Sequence, residues 1–507
     1  MIDRVRGAVP LATIGITVII VALWGITTPL PAVMIAWAVA TAFALFLVPK
    51  VAVAVLAGFL VFQPVLINLV GGIQDPLGLA LQRLDEAILL AGLGRICLLF
   101  GSHELPRESR YVAVLTAAFL LMGVTSALLA DVPLRVWVLG AFLSVKFPIF
   151  VLLALSVRWN ENDAQRLTRL GLWLGPILLA LGVLLWMSPT GIQELFLDPG
   201  AEREGFFARG DLRSMQGIFT HPGVFGWALA VTGCYAAASV LSRRSRTGTL
   251  GLVASVMGIL ASLRRKPLIG LPLSIAVGVI RFGTNRQRFA VLGLIATLAG
   301  GVALFGATRV RAMVEDTVIT YGDANPGTTA RTLLYITGFD IAKDRFPLGA
   351  GFGRFGGFVS SIYYSPLYDQ YGLSSIRGLS SDEPDYIEDT YWPHVLGEAG
   401  WAGTTVLLSL LVLLWRSAAI TSTTGGSLAA RCLAMAASMV LIEALVESVA
   451  APIFEASLPA YVIAIPLGMA IVLRKGPRLM QDLPQDVEKP SSRVSKSAPT
   501  RSPGFPP

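Results

Sequence analysis

Long, uninterrupted runs of apolar residues recur along almost the whole of this sequence. Each run is close to the roughly 20 residues that an α-helix needs to cross about 30 Å of hydrocarbon. Such runs must be helical in lipid, because only a helix or a closed barrel satisfies its own backbone there. Only 14% of the residues are charged, against about 25% in a typical soluble domain. The sequence therefore predicts an all-α, polytopic transmembrane bundle.

Fourteen segments have the length and character of membrane spans. The fourth begins among Arg83, Asp85 and Glu86, and two others are short, so we expect about 12–14 transmembrane helices. The first follows a basic start and is expected to be an uncleaved anchor, because many spans follow it. The predicted spans are 8–28, 32–48, 51–72, 78–101, 111–130, 134–156, 168–188, 224–241, 249–263, 267–280, 289–307, 394–415, 430–449 and 456–473.

Lysine and arginine concentrate in alternate loops between these spans. Basic loops favour the cytoplasmic side, and a cytoplasmic amino terminus places almost every basic loop inside. The opposite loops carry almost no positive charge; they are 29–31, 73–77, 131–133 and 450–455. The alternation therefore predicts both the orientation of the bundle and the parity of its spans.

Four regions follow from this topology. Residues 1–307 form transmembrane helices with an outer segment at 189–223, residues 308–393 form a large outer loop, and residues 394–473 return to the membrane. The tail 474–507, rich in Pro, Ser and basic residues, is expected to be disordered in the cytoplasm. The net charge of +8 belongs to the inner loops and the tail, so it does not indicate a nucleic-acid partner.

Some charges contradict this topology. Arg264, Arg265 and Lys266 occupy an outer turn between two short spans, against the positive-inside rule. An anionic partner such as a phosphate would explain them; the alternative is snorkelling to lipid headgroups. Arg213 lies just before a span on the same side, where it is either a second ligand of the anion or an ordinary interfacial arginine.

Three further charged residues fall inside predicted spans. Lys146 lies within 134–156, and Glu443 and Glu447 share one face of 430–449 because they are four residues apart. Intramembrane charges face a cavity or pair with one another. They either contribute to a substrate chamber or pair within the bundle, and the sequence slightly favours the structural role.

The large outer loop contains an amphipathic pattern at 329–345, which predicts a helix with Arg331 near its start and Pro347 just beyond its end. The glycines that follow spell a literal GxGxxG. The dinucleotide motif requires a preceding strand, whereas a helix is predicted here. The glycines therefore serve either tight packing or close approach to a sugar; they are Gly349, Gly351 and Gly353.

The rest of the loop is rich in tyrosine and acidic residues. Exposed aromatic rings suit either sugar stacking or the membrane interface; the tyrosines are Tyr363, Tyr364, Tyr368, Tyr371, Tyr386 and Tyr391. The acidic run is expected to be a solvated face, and its spacing matches no EF-hand calcium loop. Its members are Asp382, Glu383, Asp385, Glu388 and Asp389.

Four groups of residues occur in a characteristic order. A segment before a span holds Arg213, Gly217, Phe219, His221 and Pro222. An outer turn between two short helices runs from Ser262 to Lys266. The loop has Arg331 and then Pro347, Gly349, Gly351 and Gly353. It closes with Asp389, Trp392, Glu398, Gly400 and Gly403. In this order they resemble the O-antigen ligase and O-antigen polymerase superfamily of bacterial membrane proteins.

The resemblance departs from the ligase pattern at one position. Ligases of this family carry His-Asn where this chain has Asp389-Thr390, and polymerases more often tolerate aspartate there. His394 lies five residues further on and does not align with that motif. Asp389 and His394 therefore remain alternative candidates for the catalytic base.

The resemblance implies a GT-C-like fold and glycan transfer from an undecaprenyl-pyrophosphate-linked donor on the periplasmic face of the inner membrane, without metal or cofactor. On this hypothesis Arg265, with Arg213 and Arg331, binds the pyrophosphate, and Arg264 and Lys266 are second choices. Asp389 or His394 activates the acceptor hydroxyl. The implied partners are the lipid-linked glycan, membrane lipids and a chain-length regulator. The predicted sugar groove contains Gly349, Gly351, Gly353 and Tyr391.

A polysaccharide polymerase is the preferred function, and an O-antigen ligase is the alternative within the class. A transporter of the lipid-linked unit is the rival from another class. Transporters keep their site near the bilayer midplane and contain repeated halves, whereas this sequence shows no repeat and places its unusual charges at the outer surface. A non-catalytic scaffold would not need those arginines.

Overall fold

The computed structural model describes residues 39–41, 43–69, 76–100, 105–188, 208–209, 212–243, 245–286, 289 and 330–474. Within these ranges the regular structure is helical, apart from a two-residue antiparallel ladder that joins Ala208–Arg209 to Leu212–Arg213. The all-α prediction is therefore confirmed for the described part of the chain.

The described helices are named here in chain order. They are α1 (Pro49–Leu69), α2 (Pro76–Phe100), α3 (Arg107–Leu129), α4 (Leu134–Ser144), α5 (Lys146–Leu155), α6 (Glu161–Trp186), α7 (Pro222–Arg243), α8 (Arg246–Ser262), α9 (Arg265–Phe282), α10 (Ala330–Asp344), α11 (Phe358–Ile362), α12 (Pro366–Gln370), α13 (Trp392–Thr424), α14 (Leu428–Glu447) and α15 (Ser457–Val472).

The chain is a multi-pass membrane protein. Among the described residues, α1, α3, α6, α7, α13 and α14 are long and apolar enough to cross a membrane, and the bent pair α4–α5 gives a seventh span if counted as one. Helices α8 and α15 are apolar but shorter. The predicted spans 8–28, part of 32–48 and nearly all of 289–307 lie outside the described residues. The total of about 12–14 spans therefore stays a prediction.

The segment predicted as one span at 134–156 is broken. Helices α4 and α5 meet at Val145 with a bend of 45°. Pro148 explains the position of the break, because proline is tolerated in the first turn of a new helix but not in the interior of a continuous one. The break buries Lys146, whose Nζ lies 3.9 Å from Asp85 Oδ2 and 3.5 Å from Glu86 Oε1. This intramembrane lysine is thus paired within the bundle.

Helices α7 and α14 occupy the centre of the bundle, where most of their residues are buried. Small residues let neighbouring helices approach closely. A Cβ on Gly233 of α7 would come within 2.8 Å of Leu271 on α9, and one on Gly258 of α8 would come within 2.4 Å of Leu229. This close packing brings the ends of α7, α8, α9 and α14 together.

Helix α10 and the segment that joins it to α13 share a hydrophobic core separate from the main core of the bundle. Helix α10 confirms the predicted helix at 329–345 to within one residue at each end. Its buried face packs on a second, smaller hydrophobic core that includes Leu334, Ile341, Phe355 and Tyr368. Tyr368 is completely buried in that core, so it is a packing residue and not an exposed ring.

Candidate functional site

The turn between α8 and α9 positions a group of basic residues. Leu263 ends α8 in the left-handed conformation, with φ of 54°, and Arg264 is extended before α9 begins at Arg265. This sharp reversal places Arg264, Arg265 and Lys266 half-buried at the end of the bundle where α7 begins and α14 ends. The three residues predicted from the sequence therefore lie together at one end of the membrane domain.

Lys266 is anchored to the end of α14. Its Nζ lies 2.6 Å from Glu447 Oε1 and donates a hydrogen bond of 2.8 Å to the carbonyl of Ala450. Glu447, for which the sequence slightly favoured pairing within the bundle over a chamber, is thus an ion-pair partner. The pair fixes the amine of Lys266 at the rim of the bundle.

His221 lies among the basic residues just before α7. Burial, followed by the charges of Arg264, Lys266 and Arg331, lowers the pKa of His221 from 6.5 to about 4. Contacts also place two of these cations near each other: Lys266 Nζ donates to the carbonyl of Ala450, and Tyr335, one helical turn after Arg331, donates to the adjacent carbonyl of Val449. Residues that are more than 100 positions apart in the sequence therefore meet in a single cationic cluster, which comprises His221, Arg264, Lys266 and Arg331.

Arg331 also joins the cluster to a carboxylate. Its Nη2 donates a hydrogen bond of 2.7 Å to Asp389 Oδ2, and both side chains remain about one-third exposed. Arg331 lies in the first turn of α10, and Asp389 lies shortly before α13. Packing of α10 against α13 thus brings together a predicted pyrophosphate ligand and a predicted base.

Two further predicted ligands are located less completely. Arg265 is the first residue of α9 and is half-buried. Arg213 lies in the short ladder before α7, and its side chain lies outside what the structure describes. The neighbouring backbone is tied to the end of α8 by a hydrogen bond of 2.9 Å from Met215 N to the carbonyl of Ala261.

His394, the second candidate base, is buried in the first turn of α13. Its Nδ1 lies 2.8 Å from the carbonyl of Phe355, and its Nε2 lies 2.6 Å from Glu455 Oε1. A carbonyl only accepts hydrogen bonds, so Nδ1 carries a proton. Glu398 Oε1 lies 3.5 Å from Nδ1 and accepts a hydrogen bond from Phe355 N. These contacts enclose His394 within protein, whereas the side chain of Asp389 is about one-third exposed.

Glu388 adds a further carboxyl group beside Asp389. Burial raises its pKa; the hydrogen bond of 2.9 Å from Ser361 Oγ opposes this, and the charges of Glu455 and Asp389 raise the pKa further. A carboxyl group with a raised pKa is suited to proton transfer near neutral pH. Glu388 therefore lies within the site, and the acidic run is not a uniformly solvated face.

The predicted sugar groove needs correction. All three glycines have positive φ and are buried against protein. A Cβ on Gly349 would lie 2.6 Å from Gly400 N, one on Gly351 2.5 Å from Ala127 Cα, and one on Gly353 2.6 Å from the carbonyl of Val136. The glycines thus permit close backbone packing, the first of the two roles that the sequence left open.

Tyr391 is corrected for the same reason. It is only 1% exposed and packs against Phe454 and Trp392, with ring centroids 5.2 and 5.4 Å away. It therefore belongs to the wall beneath the site and offers no face to a sugar.

An apolar groove begins beside the cationic cluster. Tyr335 lies one helical turn after Arg331, and its hydroxyl donates a hydrogen bond of 2.8 Å to the carbonyl of Val449. From there the groove, with a volume of about 280 Å³, follows the first half of α13. Its lining residues are Tyr335, Phe339, Trp392, Pro393, Leu396, Trp401, Thr404 and Leu408.

Sequence reasoning missed the roles of His221, Glu388 and Glu455. His221 and Glu388 stood within motifs that had been noted, but neither was singled out. Glu455 lies in a short loop marked only by its lack of basic residues. The sequence signal for a role of Glu455 was that it is the single carboxylate in a short loop between two predicted spans. No group of three or more His, Cys, Asp or Glu residues suited to a metal ion occurs in the described ranges.

Comparison with known proteins adds no assignment. No protein-family model matches the chain, and no curated protein matches it either. The fold and the site define a multi-pass membrane protein with a cationic cluster at one end of its helix bundle.

Proposed function

We propose that the protein is a membrane glycosyltransferase that extends a polysaccharide with glycan taken from undecaprenyl pyrophosphate. The observation that carries the proposal is the grouping of cations at the end of α14: Arg264 and Lys266 lie in the turn before α9, Lys266 Nζ bonds the carbonyl of Ala450, and Arg331 lies one turn before Tyr335, which bonds the carbonyl of Val449, with Asp389 against Arg331. Guanidinium and ammonium groups bind phosphate oxygens through charge-assisted hydrogen bonds. A half-buried cluster of them fits the head of a pyrophosphate lipid.

The apolar groove supports a ligand that also has a long hydrocarbon chain. It starts at Tyr335, next to the cluster, and runs beside α13, which is long and apolar enough to cross the membrane. A charged head among the basic residues and an isoprenoid chain along the groove would match both surfaces. A soluble nucleotide sugar would leave the groove unused.

In the proposed reaction an acceptor hydroxyl oxygen forms a bond to the anomeric carbon of the donor sugar. The bond from that carbon to the phosphate oxygen breaks, and its electron pair stays on the pyrophosphate. Fixed cations stabilise the charge that develops there, the role we assign to Arg264, Arg265, Lys266 and Arg331, with Arg213. Asp389 takes the hydroxyl proton, because it is exposed whereas His394 is enclosed.

The positive-inside pattern supports a location in the bacterial inner membrane with the cluster and the 308–393 loop on the periplasmic side. The position of the cluster at the helix ends also favours transfer over transport, because transporters bind their cargo near the midplane. A non-catalytic scaffold would not need a half-buried group of cations.

The direct test is reconstitution of the purified protein in liposomes with its undecaprenyl-pyrophosphate-linked repeat unit. A ladder of lengthening glycans on a gel is the expected result. Transfer only after addition of a lipid A-core or protein acceptor would replace the polymerase by a ligase. If folded protein with the correct donor transfers glycan to none of these acceptors, the proposal is wrong.

A further inference from the structure

Helix α10 has an apolar side that the rest of the described chain leaves exposed. Its opposite side packs on the small core through Leu334 and Ile341. Phe339 is nevertheless 50% exposed, and Phe346, just beyond the end of the helix, is 72% exposed. The two residues are seven positions apart, which is two helical turns, so they lie along the same edge of α10. A contiguous exposed apolar surface of this kind marks an interaction site.

This edge of α10 continues onto the exposed side of α13. The rings of Phe339 and Trp401 are in contact, with centroids 5.7 Å apart, and Ala402 N donates a hydrogen bond of 3.1 Å to the carbonyl of Pro347. Leu408, seven residues after Trp401 and therefore on the same face, is also exposed. Because α13 is long and apolar enough to cross a membrane, this face of α13 is in contact with lipid.

Two tryptophans locate the boundaries of the membrane on α13. Tryptophan is enriched at both membrane–water interfaces. Trp415 follows Trp401 by 14 residues, a rise of about 21 Å along the helix, so the two indoles fit near the two boundaries of a hydrocarbon core about 30 Å thick. The exposed Arg416 next to Trp415 marks the far boundary. Trp401 therefore lies near the boundary at the end of the bundle that holds the cationic cluster, and Phe339 lies there with it.

The charged residues of α10 fit this placement. Successive residues of an α-helix differ by about 100° in direction, so the exposed Asp340 points away from Phe339 and forms an acidic edge with Asp344. Lys343 lies four residues after Phe339, on the apolar side. Its stem can lie over acyl chains while its ammonium group reaches the headgroup phosphates. Apolar residues with a lysine on one side and acidic residues on another are typical of a helix at a membrane surface.

We propose that α10 is an interfacial helix that binds the lipid leaflet at the cluster end of the bundle, with Phe339 and Phe346 among the acyl chains and the acidic edge in water. The leaflet that contacts α13 at Trp401 covers both helices, because their exposed apolar surfaces are continuous. This placement does not depend on the substrate or on the proposed reaction. As a consequence, the apolar groove, whose lining includes Phe339 and Trp401, opens towards the leaflet.

The test uses single-cysteine variants of the full chain, Phe339→Cys and Phe346→Cys, with Asp340→Cys as the matched control on the same helix. The background is Cys97→Ser, because Cys97 is exposed whereas the other two cysteines are buried. Each variant is labelled with the fluorophore NBD and reconstituted in liposomes. Iodide quenches the probe from water, and spin-labelled phospholipids quench it from within the bilayer. Melting temperatures close to that of the background show that the variants are folded.

We expect the probes at 339 and 346 to be quenched by the spin-labelled lipids, at a depth of about 5–10 Å beneath the headgroups, and to be protected from iodide. The probe at 340 should show the reverse. Iodide quenching at 339 and 346 equal to that at 340 would place this edge in water and overturn the proposal. Protection from both quenchers would overturn it too, because a second copy or another protein would then cover the edge. Phe346→Cys, at the more exposed position, decides the question if Phe339→Cys does not fold.

Discussion

At the scale of single residues, the structure separates the two candidate bases by exposure. Asp389 reaches solvent and contacts Arg331 at 2.7 Å, whereas His394 is enclosed by Phe355, Glu398 and Glu455. Sequence could propose both residues, because both lie near the start of a span. It could not rank them, since burial of His394 depends on Glu455, which is 61 positions away in the sequence.

Asp389→Asn is therefore expected to lower turnover by about 100-fold or more, the usual contribution of a general base, with little change in melting temperature. His394→Leu should instead lower the melting temperature, because it leaves the buried Glu455 without its partner. Turnover in proteoliposomes and thermal unfolding in detergent measure the two effects. Full activity of folded Asp389→Asn protein would exclude this aspartate as the base.

Glu388 gives a prediction about pH. Its pKa is raised in the folded protein, chiefly by burial, so its ionised form is disfavoured on folding, and stability is lost as pH rises through that pKa. Glu388→Gln removes this cost at pH 7–8, and the advantage should fade as pH falls towards the ordinary glutamate value of about 4.3.

Melting temperatures of the wild type and Glu388→Gln across pH 4–8 test this expectation. Glu383→Gln is the control, because Glu383 belongs to the same acidic run but its side chain is 59% exposed. A stability gain for Glu388→Gln that stays constant with pH, or an equal gain for the control, would show that burial of the charge is not the cause.

At the scale of elements, the sequence predicted where helices occur better than where helices are interrupted. The amphipathic pattern predicted both ends of α10 to within one residue. In the apolar run at 134–156, Pro148 was the only sign that α4 and α5 are separate helices that meet at Val145. Helix α13 is likewise interrupted at Gly400, with φ of 64°. Periodicity reports which residues are apolar; it does not report where a neighbouring loop must enter a helix.

The interruption in α13 receives the glycine-rich loop. Ala350 N donates a hydrogen bond of 2.8 Å to the carbonyl of Gly397, and Gly351 N donates one of 2.9 Å to that of Glu398. A Cβ at Gly400 would lie 2.3 Å from the carbonyl oxygen of Pro347. The loop and helix therefore interlock through backbone atoms, which explains why glycines recur on both sides.

Gly400→Ala should destabilise the protein by about 2 kcal/mol or more, because its φ of 64° and ψ of −167° are essentially restricted to glycine and the added Cβ would collide with Pro347. Gly372→Ala is the matched control, because Gly372 has a similar φ of 70° but nothing within 4 Å of its Cβ position. It should cost only the backbone strain, about 1 kcal/mol. Equal losses of thermal stability would mean that the interlock contributes nothing.

At the scale of the whole molecule, membrane character was predictable because hydropathy needs no tertiary information. The unusual basic residues were predictable for a related reason, since they contradict the orientation that the other loops define. The way in which they assemble was not. Arg331 meets Asp389, and Lys266 meets Glu447, only after α10 packs on α13 and α9 packs on α14.

In the proposed reaction, glycan transfer depends on the cations at the end of the bundle where α9 and α13 begin. The most direct measurement is the rate at which reconstituted protein releases undecaprenyl pyrophosphate from its lipid-linked repeat unit. One double variant, Arg264→Gln with Arg331→Gln, removes two cations of the cluster. Its control, Arg281→Gln with Arg416→Gln, removes two exposed cations near the opposite ends of α9 and α13.

Both double variants must remain folded, as judged by melting temperature. We expect a rate at least about 100-fold below the wild type for the cluster variant, the scale of losing donors that stabilise a developing charge, and a rate within about twofold of the wild type for the control. Equal rates for the two folded variants would show that glycan transfer does not depend on these cations.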